Sequence, residues 1–263
     1  MKKNEDAKQA TRERDELGFW KVDKPFRLDV PLSPEAYQQL PWLSEEEKSI
    51  GIGLLEKILE GQRYSGLGKG NLVALDRIYY TQATACVLND PELQAAYFPF
   101  FEQMVTLVTG LDGNTELMQA TTHSNGVAAT SKSDNPDIYR RVANALLSLF
   151  AMAAERNDLY FTRFMTSVPM MQNDPDPQTG LLLISAEKAS QILNPESSVW
   201  NDEQRLVLQL TYAAMRREMT NALWDRCMAM WGPKETMRYV LWVGQYDYLC
   251  MLNGVFDLRS NEL

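Results

Sequence analysis

The chain has 263 residues, 45% of them hydrophobic, and a formal net charge of -9. That supplies a sizeable core, and it repels phosphate backbones, which sets nucleic acid aside as a partner. No run approaches the ~18 apolar residues of a membrane span. Met1 to Glu16 are almost all polar or charged and lack the apolar centre of a signal peptide. The expected setting is therefore cytoplasmic, with no membrane partner. Cys86, Cys227 and Cys250 are too widely spaced for a zinc or redox pair and read as reduced, mostly buried thiols. His123 is the one histidine, so a histidine-rich metal site is excluded. Neither a metal nor a cofactor is expected.

Residues 1–24 mix both charges, as an exposed helix or a frayed arm does. Pro25 to Pro41 is proline-rich with little periodicity and reads as an extended connector. Residues 1–43 thus form an arm and connector, and 44–263 a single helical domain. Ser44 before Glu45-Glu46-Glu47 is a capping-box start. Ile50, Leu54, Leu55, Ile58 and Leu59 follow at helical spacing, to an end near Gly61. Ser65 to Gly70 is glycine-rich, but it has neither the spacing nor the preceding strand of a phosphate-binding loop.

Leu72 to Leu88 reads as a helix ended by Asn89-Asp90-Pro91. Pro91 suits the first turn of the next helix, through Phe100, Met104 and Leu107 to Val108. Leu111 to Asn114 is a turn, Glu116 to Ala129 is ambiguous, and Ser131 to Pro136 is a polar loop. Asp137 opens a long helix through Leu146, Leu147, Phe150 and Phe161 to about Met165. Asn173 to Gly180 is a loop, and Ser185 caps a short helix through Ile192 that Asn194-Pro195 breaks. Asn201 or Asp202 caps a helix carrying Leu206, Leu208, Leu210, Tyr212 and Met215. Thr220 caps a further one, Leu223 to Trp231, stopped by Gly232. Pro233 opens the last, to about Asn253. No stretch keeps a period of two, so the fold class is all-α, a multi-helix bundle.

Three pieces carry a family likeness. Trp200 to Leu208 resembles the acidic-Glu-Arg helix start of alkylhydroperoxidase D-like (carboxymuconolactone decarboxylase-type) proteins. Leu223-Trp224 with Trp231-Gly232-Pro233-Lys234-Glu235 resembles that family's glycine link, and Val240 to Tyr246 with Leu252-Asn253 its final helix. The likeness spans residues 144–258. It implies the family's bundle type and a homo-oligomer, dimer or trimer. Redox members carry Cys-x-x-Cys-x-x-x-His, which falls here on Asn157, Tyr160 and Phe164, with an earlier acidic position at Ala145. A thiol peroxidase needs a low-pKa thiolate and a resolving thiol. No cysteine lies between 87 and 226, so that activity is disfavoured.

On a continuous helix, Leu146, Phe150, Ala153, Asn157, Tyr160 and Phe164 share one face. The face is either core with a satisfied amide, or a mainly apolar small-molecule pocket with a few polar groups. In the pocket reading, Tyr160, Tyr246 and His123 move protons and Asn157 orients a carbonyl. Phe150, Phe164, Arg163 and Tyr248 then bind substrate. That describes a cofactor-independent lyase, isomerase or cyclase acting on an apolar or aromatic small molecule. The alternative is a non-catalytic ligand-binding or assembly protein on the same scaffold.

Overall fold

A computed structural model describes residues 34–64, 89–112, 136–158 and 186–256. Every regular element among them is helical: α1 (Pro34–Gln38), α2 (Glu45–Tyr64), α3 (Pro91–Thr109), α4 (Pro136–Arg156), α5 (Ala186–Ser190), α6 (Asp202–Arg216) and α7 (Asn221–Phe256). No described helix is long and apolar enough to cross a membrane. The helix expected over 72–88, the ambiguous stretch 116–129 and the loop 173–180 lie outside the described residues.

Local signals set most helix starts. Ser44 Oγ accepts from the Glu47 amide at 3.2 Å, and the Glu47 carboxylate accepts from the Ser44 amide at 2.7 Å, closing the capping box before α2. Asp90 caps α3 through the Leu93 amide, with Pro91 in the first turn. Asn201 and Gln204 form a second capping box at α6. Thr220 accepts from the Leu223 amide at 3.2 Å, at the start of α7.

Two expectations are corrected. The supposed connector is not extended throughout. Pro34 opens α1, and Tyr37, Leu40 and Leu43 pack with Leu55 of α2 in a small core of their own. The fit there is close: a Cβ on Gly51 would overlap the Tyr37 ring. The second correction concerns α4, which stops at Arg156 rather than near Met165. Asn157 adopts a left-handed conformation, φ 51°. The Asp158 amide donates to Ala153 O and the Asn157 amide to Ala154 O, which is a Schellman ending. Asparagine is the side chain, after glycine, that most readily takes this conformation. α6 ends the same way on Arg217, φ 60°.

The main core joins α3, α4, α6 and α7. α7 is two arms. Gly232, with φ 71° and ψ 173°, leaves the helical region. Thr236 Oγ1 donates to Cys227 O at 3.2 Å, nine residues back. On a straight helix those residues would be ~13 Å apart along the axis, so the arms fold back on each other.

The second arm runs parallel to α4. Arg140 meets Glu235, Asn144 meets Tyr239 and Asp158 meets Asn253, each across 95 positions. α6 is also parallel to α4, since Arg140 meets Glu203 and Ser148 meets Thr211 across 63 positions and Glu155 meets Arg216 across 61. α3 is antiparallel to α7, because Tyr97 meets Tyr248 while Phe101 meets Tyr246.

Parallel packing gathers three helix N-termini at one end, where each carries an acid: Asp137, Glu203 and Glu235. Carboxylates there complement the positive ends of the helix dipoles. Arg140 bonds all three, at 2.9, 2.6 and 3.0 Å, and so offsets their mutual repulsion. Burial alone would lower the Arg140 pKa, but the bonds to these carboxylates outweigh it and raise it. At the opposite end α4 and α6 finish on Arg156 and Arg216, again the favourable sign.

Candidate functional site

The stretch expected to form one functional face divides at Asn157. Leu146, Phe150 and Ala153 are buried in the main core. Asn157 is exposed beyond the helix end and does not continue that face. Tyr160, Arg163, Phe164 and His123 lie outside the described residues. The position that the family likeness assigns to an acid, Ala145, gives its carbonyl to the fully buried Trp242, whose Nε1 donates at 3.0 Å.

The structure does bring Tyr246 and Tyr248 to one seam, between α3 and α7. α7 presents Trp242 and Tyr246 with ring centroids 4.4 Å apart. Phe101 of α3 stands edge-on to Tyr246 at 6.2 Å. Tyr97, one turn earlier on α3, meets Tyr248 at 5.9 Å. Phe150 belongs to the same core as Phe101 and Tyr246.

The electrostatics of this seam favour neutral phenols. Burial raises the pKa of Tyr246, with smaller contributions from Tyr97 and Glu102. Tyr97 is raised by burial and by Tyr248. At physiological pH both are hydrogen-bond donors and not bases, which narrows the role expected for Tyr246. Three buried side-chain atoms on these two helices have no hydrogen-bond partner: Tyr97 OH, Gln94 Oε1 and Gln245 Nε2. Gln94 precedes Tyr97 by one turn of α3, and Gln245 precedes Tyr248 by one turn of α7. Leaving such a group buried and unbonded costs about 1–3 kcal/mol each.

At the end of α4 lies a cluster outside the expected site residues. Asp158 is buried and accepts from Asn253 Nδ2 at 3.1 Å. Cys250 is pushed up by burial first, then by the charges of Asp158 and Asp247 and a hydrogen bond with Asp158. It is held as a neutral thiol. Cys227 is pushed up to about 11, again mainly by burial. A thiolate nucleophile needs the opposite surroundings. The sequence signal for this cluster was the α7 stripe Trp242, Tyr246, Cys250 and Asn253 at helical spacing.

Among the described residues no group of acids, cysteines and histidine is arranged to hold a metal ion. The chain matches no protein-family model, no curated protein and no solved structure. The likeness to the alkylhydroperoxidase D-like family therefore rests on the three sequence pieces alone.

Proposed function

We propose that the protein is a thiol-free relative of the alkylhydroperoxidase D-like family that binds a small aromatic or largely apolar molecule at the α3–α7 seam. There it would act as a lyase, isomerase or cyclase without a cofactor. The observation that carries this reading is the set of unbonded buried atoms beside the aromatic rings, Tyr97 OH and Gln245 Nε2 above all. Buried polar atoms are normally satisfied, and a substrate carbonyl or hydroxyl would satisfy these. In this reading Tyr97 and Tyr246 donate hydrogen bonds to an oxygen that gains negative charge, while Tyr160 and His123 move protons. Asn157 orients the substrate from the end of α4, and Tyr248, Phe150, Phe164 and Arg163 line the site.

A second reading has its own observation. Tyr246 is only 6% exposed and is enclosed by Phe101 and Trp242, as in a filled core. A non-catalytic assembly protein with no ligand at this seam would look the same there.

Thermal unfolding separates the two. A panel of phenolic and aromatic carbonyl compounds is screened against the wild type and against Tyr97→Phe and Gln245→Leu. The enzyme reading expects a compound that raises the wild-type midpoint, with that rise lost in both variants. The second reading expects no rise with any compound, and variants more stable than the wild type because an unbonded polar atom has gone.

A further inference from the structure

Apart from Tyr248, whose ring stands at its border with α3, the outer face of the long second arm of α7 has no use in the site. From Met237 to Phe256, every exposed residue is apolar or glycine: Met237, Leu241, Gly244, Met251, Gly254 and Val255. On a chain of net charge -9, a solvated helix face is expected to carry charge. Met237, Leu241, Gly244, Tyr248, Met251 and Val255 recur at alternating intervals of four and three. That is the 3.5-residue seam of paired helices, not the broader stripe of a helix lying on a core. The core-facing stripe, through Tyr239, Trp242, Tyr246 and Cys250, is separate and already packed.

Gly244 adds an independent observation. Glycine in a helix interior is disfavoured relative to alanine, and a Cβ there would meet nothing within 4 Å. Nothing among the described residues calls for a glycine at this position. A second helix approaching closely from outside does.

We infer that this face is the interface between two copies of the chain, with the α7 second arms packed antiparallel about a two-fold axis between Gly244 and Tyr248. The sequence of the stripe is self-complementary in that arrangement. Met237 faces Val255 of the other copy, Leu241 faces Met251, and the Tyr248 ring fills the space left at Gly244. No charged position falls on the seam. The apolar surface continues onto α3, where Tyr97 touches Tyr248 and where Phe100 and Leu93 are 52% and 53% exposed. The stripe is ~27 Å long by the helical rise. Two adjacent helix faces are ~20 Å wide. Together they offer on the order of 1,000 Å² summed over both copies, the lower bound for a specific interface. A parallel pairing would set Tyr248 on Tyr248 and leave both glycines unfilled.

The test is sedimentation equilibrium on the full chain at micromolar concentration, with helicity followed by circular dichroism. The wild type is expected at twice the chain mass. Leu241→Glu and Met251→Lys, both at exposed positions, are each expected at the single-chain mass with wild-type helicity. An equimolar mixture of the two should return to twice the mass, because position 241 of one copy faces position 251 of the other. A monomeric wild type overturns the inference, and so does a dimer that both substitutions leave intact. A mixture that stays monomeric overturns the antiparallel register.

Discussion

Asp158 accepts a hydrogen bond from Asn253 across 95 positions, the separation that also joins Asn144 to Tyr239 and Arg140 to Glu235. One constant offset along the length of two helices fixes them as parallel and in a single register. The polar residues that mark it stand at both ends of the bundle, and the apolar core lies between them.

Arg140 is the most consequential of these. Its side chain is 32% exposed and bonds three carboxylates. Arg140→Met leaves Glu203 and Glu235 facing each other without their cation, and Asp137 with only the longer contact to Arg141 at 3.9 Å. The expected loss is about 2–3 kcal/mol in urea unfolding, below the full cost of stripping a buried pair because water reaches the cluster. Arg156→Ala breaks a more exposed pair with Asp247, the two side chains being 42% and 34% exposed, and should cost less than about 1 kcal/mol.

Two glycines two residues apart in α2 should respond with opposite sign. Gly51→Ala drives a methyl into the Tyr37 ring and is expected to destabilise by about 1–3 kcal/mol. At Gly53 an added Cβ meets nothing within 4 Å, so Gly53→Ala should stabilise by up to about 1 kcal/mol through helix propensity. Thermal unfolding of both variants checks the pair, and a common sign would refute the docking of α1 on α2.

Arg217 and Asn157 hold left-handed conformations without being glycine. Arg217→Gly should raise stability by roughly 0.5–1 kcal/mol, since the strain it relieves exceeds the added freedom of the unfolded chain. Asn157→Gly keeps the Schellman ending and removes the amide. Turnover falling tenfold or more in a fully folded Asn157→Gly protein supports its substrate role. Unchanged turnover removes Asn157 from the site.

Alkaline pH should unfold the protein cooperatively. Burial pushes Tyr37 up to about 12 from its ordinary 10, with Glu47 and Asp90 adding to the shift, and Cys227 up to about 11 from 9. Folded-state values above the unfolded ones mean the native chain holds these protons more tightly. Their contribution is complete below about pH 9 and is lost as pH rises through 11 and 12. Tyrosinate absorbance and helical ellipticity are expected to change together in that window. Ionisation of most tyrosines with the helices intact would contradict their burial.

What the sequence made legible was local. Ser44 with Glu47, Asp90 before Pro91, Asn201 with Gln204, and Gly232 before Pro233 each act within one helical turn, and each marks the boundary expected of it. Asn157 was misread because its neighbours sustain the helical pattern, while the left-handed turn is made by a residue that helices also accept. Tyr37 was missed because its partner is a glycine, which leaves no hydrophobic period. The three-carboxylate cluster joins positions 63 and 95 apart, and no spacing rule reaches that far. Of the expected site residues, Tyr246, Tyr248 and Phe150 were legible as buried or partly buried aromatics at helical spacing. The convergence of Tyr246 and Tyr248 with Phe101 and Tyr97 follows from the antiparallel α3, a tertiary fact.

The shared offset also limits how the molecule can move. Sliding the second arm of α7 along α4 by one turn, about 5.4 Å, would break the Glu235, Tyr239 and Asn253 pairings together; it would carry Glu235 to Asn144 in one direction or Tyr239 to Arg140 in the other, and would leave Asp158 and Asn253 apart in both. Piston motion is thus opposed by three polar pairings at once. The easier rearrangement of α7 is a pivot at Gly232, swinging the short first arm while the long one stays keyed to the core.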